Sequence, residues 1–216
     1  MNYKVAYIDE MDSDIRSFKR SVLLRANEKF EVVAIKPKAN INDTVSMIFE
    51  NFVDAVVADF RLSEEDPTVH YNGSDLIKEV INIRDDFPVF ILTSFEDDAV
   101  DQGFDVNIVY EKVDVQESSK FFDKVILQIK KYKAKIESAE LRILELTEKR
   151  KNDPLTNSEE QELLELDSLI EKSLDKQSKM PVDLKATTNS ERLEELLNKA
   201  DKIIEAINKK NLDGEN

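Results

Sequence analysis

The sequence predicts an α/β fold, a five-stranded parallel sheet flanked by helices, followed by a purely helical extension. Up to about residue 116, short runs of β-branched residues alternate with longer amphipathic stretches, the pattern of successive βα units. Four of those runs end in polar groups directly after consecutive apolar residues, as strands covered on both faces by helices do. From Phe122 onward the apolar spacing changes to alternating threes and fours, which belongs to helices alone.

The first strand is Lys4-Val5-Ala6-Tyr7-Ile8, which runs into Asp9-Glu10. An amphipathic segment from about Asp12 to Glu28 follows, with Ile15, Phe18, Val22 and Leu23 expected on its inner side, and then a strand around Val32 to Ile35. Asp43 to Phe52 carries Val45, Ile48, Phe49 and Phe52 at helical spacing, and Ala55-Val56-Val57-Ala58-Asp59 is the third strand. After an acidic, irregular stretch from Arg61 to Asn72, Gly73 opens a third helix through Ile81, and Pro88 ends that unit and admits Val89-Phe90-Ile91-Leu92 before Thr93-Ser94. The fifth strand, Asn107 to Tyr110, precedes Glu111-Lys112.

Phe122, Val125, Ile129, Tyr132, Ile136, Ala139, Ile143 and Leu146 form a heptad seam. Its first turns, to about Ile129, pack the last helix on the sheet; beyond them no sheet remains to be covered. Asn152-Asp153-Pro154 breaks the helix, and Thr156-Asn157-Ser158-Glu159 offers a capping box for a second one carrying Leu163, Leu166, Leu169 and Ile170. A third is expected from Thr188-Asn189-Ser190-Glu191 through Ile207. The expected organisation is thus a sheet domain over 1–125, a helical extension over 126–210 and a frayed tail over 211–216. The seam suits a homodimer through residues 122–146, or a hairpin that satisfies it within one chain.

Charge narrows the partners. The 216 residues carry a formal net charge of −15. Residues 1–125 hold 14 basic against 26 acidic side chains, net −12, which leaves −3 for the rest. Such acidity argues against nucleic acid and anionic membranes as targets, because phosphate contacts need clustered Lys and Arg. No apolar run is long enough for a membrane helix, and Met1 to Lys4 lead straight into a strand, so the chain reads as cytoplasmic. With no cysteine and one histidine, His70, thiolate and paired-histidine metal sites are excluded.

The polar strand ends carry the chemistry. If the strand order is 2-1-3-4-5, strands one and three are neighbours and bring Asp9, Glu10 and Asp59 together at the carboxyl end of the sheet, where open parallel sheets bind ligands. Three carboxylates so close raise one another's pKa unless a cation joins them. Mg²⁺ suits oxygen donors and takes one or two carboxylates plus a phosphoryl oxygen. One carboxylate could then attack a phosphoryl donor, with Lys112 and Thr93 holding phosphoryl oxygens, so that catalysis is positioning and charge neutralisation.

Five blocks in order, namely Asp9-Glu10, Asp59-Phe60-Arg61-Leu62, Asn72 to Ile77, Thr93-Ser94 and Lys112, resemble the receiver domain of two-component response regulators over roughly the first 120 residues. The resemblance implies that Asp59 is the phosphoacceptor, that Asp9, Glu10, Asp59 and the Arg61 backbone carbonyl hold Mg²⁺, and that Thr93 and Lys112 contact the phosphoryl group. Val113 stands where the family has a proline, Val109 where it has an aromatic switch residue, and the loop from Ser63 to Tyr71 is longer than is common. The haloacid dehalogenase pattern, which also forms an aspartyl phosphate, requires a second aspartate two positions on, where this chain has Arg61.

The implied function is that of a response regulator taking its phosphoryl group from a histidine kinase or phosphotransfer protein and signalling through a protein target of its helical tail. It is no enzyme beyond Mg²⁺-dependent self-phosphorylation and autodephosphorylation. The alternative is a phosphorylation-independent pseudo-receiver that acts as a scaffold or adaptor.

Overall fold

The computed structural model describes residues 2–26, 29–94 and 108–174. The chain divides into two compact units, Met1–Lys135 and Ile136–Asn216. In the first, five parallel strands lie in the order β2-β1-β3-β4-β5: β1 Tyr3–Ile8, β2 Phe30–Ile35, β3 Ala55–Asp59, β4 Val89–Thr93 and β5 Val109–Glu111. Every residue of β3 and β4 is buried, as continuous apolar runs between two helical layers require.

Strand alternation divides the core in two. Ala6, Ile8, Val56, Ala58, Ile91 and Val109 face α2 (Ile41–Glu50) and α3 (Gly73–Ile83). Val5, Tyr7, Val57, Phe90 and Leu92 face α1 (Asp12–Arg25) together with Phe122, Val125 and Ile129. The last three come from α5 (Lys120–Asn152), and a short α4 (Lys112–Glu117) precedes it. The first turns of the heptad seam therefore do cover the sheet, through Ile129, and Tyr132 continues by meeting Phe87 edge-on, its ring centroid 5.5 Å away.

Local chemistry explains where the elements begin. Helix α2 starts two residues before Asp43 because the Asn40 side chain caps it, accepting from the Asn42 amide at 3.0 Å. Helix α3 carries a reciprocal capping box: Asn72 Oδ1 accepts from the Asp75 amide and Asp75 Oδ2 from the Asn72 amide. Two inner-face expectations are corrected. Leu23 is exposed, since it lies one residue, about 100° of helix, past Val22, and Ser21 takes the inner place. Phe52 is 85 % exposed, because α2 has ended and the chain turns there with φ 52°.

The second unit is described to Leu174. Helix α6 (Asn157–Leu174) packs Leu163, Leu166 and Ile170 against Ile143 and Leu146, joined by Leu155 just before the helix. Its capping box is present, with Thr156 Oγ1 accepting from the Glu159 amide at 3.4 Å and Glu159 Oε2 from the Thr156 amide at 3.0 Å. Glu159 also pairs with Lys149 at 2.6 Å, and that bond first, then the Thr156 donors, lowers its carboxyl to about 2. Arg142 holds both oxygens of Glu162, at 2.8 and 3.0 Å. Here the chain satisfies the far end of the seam with its own α6. The third helix of the extension lies outside the described residues, as does the tail after 210. No described helix is long and apolar enough to cross a membrane.

Candidate functional site

Strand register fixes the site. Ile8 pairs with Ala58 and Asp59 with Leu92, so Asp9, Asp59 and Thr93 all stand at the carboxyl ends of adjacent strands. Asp9 and Thr93 are buried, and Asp59 is 6 % exposed. Lys112 reaches in from the first residue of α4, which begins directly after β5, and its ammonium joins three carboxylates. It lies 2.8 Å from Asp59 Oδ1, 3.5 Å from Asp9 Oδ2 and 2.5 Å from Asp14 Oδ2.

Every oxygen of the two strand-end aspartates has a donor. Asp59 Oδ2 accepts from the Arg61 amide at 3.1 Å. Asp9 Oδ1 accepts from the Met11 amide at 2.9 Å, and its Oδ2 from the Tyr7 hydroxyl at 2.7 Å. Burial nevertheless dominates at Asp59: it pushes the carboxyl up to about 6, against the attraction of Lys112. Burial likewise raises Asp9, against the bonds from Tyr7 and Met11. At Lys112 burial would lower the pKa, but Asp59, Asp14 and Asp9 together outweigh it and hold the ammonium above its ordinary range. One lysine among three acids leaves the pocket acidic.

Glu10 departs from the expected cluster. Its carboxylate is buried and turned onto the backbone of the following loop, where Oε1 accepts from the Glu64 amide at 2.6 Å and Oε2 from the Glu65 and Asp66 amides at 2.8 and 3.4 Å. Among the described residues no three His, Cys, Asp or Glu side chains are grouped so as to hold a metal ion. Asp9 and Asp59 carry hard oxygen donors of the kind Mg²⁺ takes, on either side of one ammonium, whereas both oxygens of Glu10 are taken by amides. The Arg61 guanidinium points outward to Glu64 at 3.0 Å.

Two members of the site were not read from the sequence. Tyr7 lies two residues before Asp9, so strand period places both side chains on one face, and that spacing was the available signal. Asp14 had none, because its approach to Lys112 depends on how α1 docks beside α4. Gly73 matters by proximity: a Cβ there would sit 2.0 Å from the Asp59 carbonyl oxygen. Val109 and Tyr110 face opposite sides of the sheet, Val109 in the α2–α3 core and Tyr110 against Phe121 and Phe90.

No family model matches the chain, and none of the curated proteins does. Among solved structures it is similar to the signal receiver domain of a Luxo repressor protein from Vibrio parahaemolyticus, at 16 % identity over 61 % of this chain and 92 % of that one, TM-score 0.41. It is similar to the non-phosphorylated HemR receiver domain from Leptospira biflexa, at 19 % identity over 59 % and 94 %, TM-score 0.40. A third likeness is to the bacteriophytochrome response regulator AtBRR, at 16 % identity over 60 % and 93 %, TM-score 0.44. The strand pairing itself gives the first unit the all-parallel β2-β1-β3-β4-β5 order of the receiver fold.

Proposed function

We propose that this chain is a phosphoacceptor regulator in which Asp59 receives a phosphoryl group from a phosphohistidine of a kinase or phosphotransfer protein. The observation that carries the reading is the Lys112 ammonium 2.8 Å from Asp59 Oδ1, with Asp9 on its other side, at the carboxyl end of a parallel sheet. An oxygen of Asp59 attacks phosphorus, the P–N bond to the donor imidazole breaks, and the imidazole takes up a proton. Lys112 turns from Asp59 to a phosphoryl oxygen, and Thr93, one residue past Leu92, is the hydroxyl proposed for another. Mg²⁺ held by Asp9 and Asp59, with the Arg61 carbonyl, would neutralise further charge on the phosphoryl oxygens. Beyond self-phosphorylation and autodephosphorylation no turnover is proposed, and the output is protein contact by the helical second unit.

The test is incubation with Mg²⁺ and acetyl phosphate, read by intact mass. A gain of one phosphoryl group in the wild type, absent from Asp59→Asn, is expected. An unmodified wild type would favour the second reading, a phosphorylation-independent scaffold, for which the near-complete burial of Asp59 speaks. A label that persists in the variant would place the acceptor elsewhere.

A further inference from the structure

Asp14 binds the Lys112 ammonium, although no step of the proposed transfer uses it. The carboxylate stands in the first turn of α1, and its Oδ2 lies 2.5 Å from Lys112 Nζ, the shortest of the three ion pairs there. An ammonium has three N–H donors, and Asp9, Asp14 and Asp59 supply an acceptor for each. Two of these acids are fixed. Asp9 is buried and also holds the Tyr7 hydroxyl and the Met11 amide, and Asp59 is buried and holds the Arg61 amide. Asp14 is the loose one: its side chain is 35 % exposed, and among the described residues its other oxygen meets the Ser13 hydroxyl at 3.3 Å. A cleft of about 270 Å³ adjoins the pair, bordered by Asp14, Ser17, Ser21, Lys112 and Gln116, so the Asp14 side chain has room to turn aside.

We propose that Asp14 is a positioning residue that competes with the incoming phosphoryl group for the Lys112 ammonium, and so limits how fast Asp59 is phosphorylated. This deepens the reading of Asp59 as phosphoacceptor and rests on it. For Lys112 to turn from Asp59 to a phosphoryl oxygen, Nζ must also leave Asp14, its nearest partner. Asp14 further places a negative charge beside the approach of an anionic donor, which opposes its entry. Removing the acid leaves the ammonium in place, because Asp9 and Asp59 still hold it. The partly exposed Asp14 carboxylate regains water when released, so the contact is broken and remade at small cost.

The experiment compares the full wild-type chain with Asp14→Asn and with Asp12→Asn, which removes the other first-turn acid of α1, paired with Lys36 at 2.8 Å. With Mg²⁺ and acetyl phosphate, intact mass should show Asp14→Asn gaining its phosphoryl group about fivefold faster than the wild type, the scale of one partly exposed ion pair. Asp12→Asn should keep the wild-type rate. Trace acetylation of Lys112 by acetic anhydride, without Mg²⁺ or phosphodonor, should likewise quicken in Asp14→Asn alone. A merely structural Asp14, favoured by the helix N-terminus, would lower the melting temperature and leave both rates unchanged. Unchanged or slower labelling of Asp14→Asn, unchanged acetylation of Lys112, or an equal gain in Asp12→Asn would overturn the proposal. Absence of label from all three chains would instead end the phosphoacceptor reading, and the competition with it, while faster acetylation in Asp14→Asn would still identify Asp14 as a residue that holds Lys112.

Discussion

Tyr7 donates its hydroxyl hydrogen to Asp9 Oδ2 at 2.7 Å from a ring stacked on Phe18, with 4.1 Å between centroids and 5° between planes. A phenol buried near the end of a strand needs a partner, and the pleat places Asp9, two residues on, on the same face. Burial first, and Asp9 second, push the Tyr7 hydroxyl far above its ordinary pKa, so it stays a neutral donor. The bond fixes Asp9 independently of Lys112.

Tyr7→Phe keeps the stack and removes the bond. A hydrogen bond to a buried carboxylate contributes roughly 1.5–3 kcal/mol. Urea unfolding should show a loss of that order with unchanged helix content. A variant as stable as the wild type would mean that Met11 and Lys112 suffice for Asp9.

Asp59→Asn should stabilise the protein at neutral pH. The carboxyl rises from 3.8 to about 6 on folding, so between those values the folded chain binds the proton more tightly than the unfolded one. The wild type therefore loses stability as pH climbs through about 6, by up to roughly 3 kcal/mol. Asparagine removes that loss, and Lys112 keeps Asp14 and Asp9. Denaturant titrations at pH 4 and pH 7 should find the gain at pH 7 only. The same shift predicts that acetyl phosphate labelling slows below pH 6, where the nucleophile is protonated.

Gly73→Ala places a methyl group 2.0 Å from the Asp59 carbonyl oxygen and 2.9 Å from its carbon, backbone that cannot swing aside. The chain must shift at the residue before Phe60, and overpacking of this kind costs about 1–3 kcal/mol or more. Both lower stability and impaired labelling of Asp59 should follow. A variant with wild-type melting and labelling would show that α3 can move without disturbing the site.

Sedimentation of the full chain should give the mass of one copy, 24.9 kDa. Phe122, Val125 and Ile129 are buried in the first unit, and Ile143 and Leu146 against Leu163. Little of the seam is left for a partner chain. A doubled mass would restore the homodimer through residues 122–146.

Local rules made the scaffold and its principal acids legible. Short, β-branched apolar runs between amphipathic stretches read as strands covered on both faces, and their length places Asp9, Asp59 and Thr93 at the strand ends. Three-four spacing, the break at Gly73 and the Thr156 cap likewise determine α3, α5 and α6 from neighbouring residues alone. Choice of partner is different in kind. Which carboxylates surround Lys112 depends on α1, 98 residues away in sequence, docking beside α4 and bringing Asp14 into reach. Whether Glu10 faces a cation or a backbone depends on the path of a loop whose nearest amide is 54 residues distant. Both are decided by distances of a few ångströms between segments that periodicity cannot relate, so only the tertiary structure separated Asp9, Asp14 and Asp59, gathered around Lys112, from Glu10, held by amides.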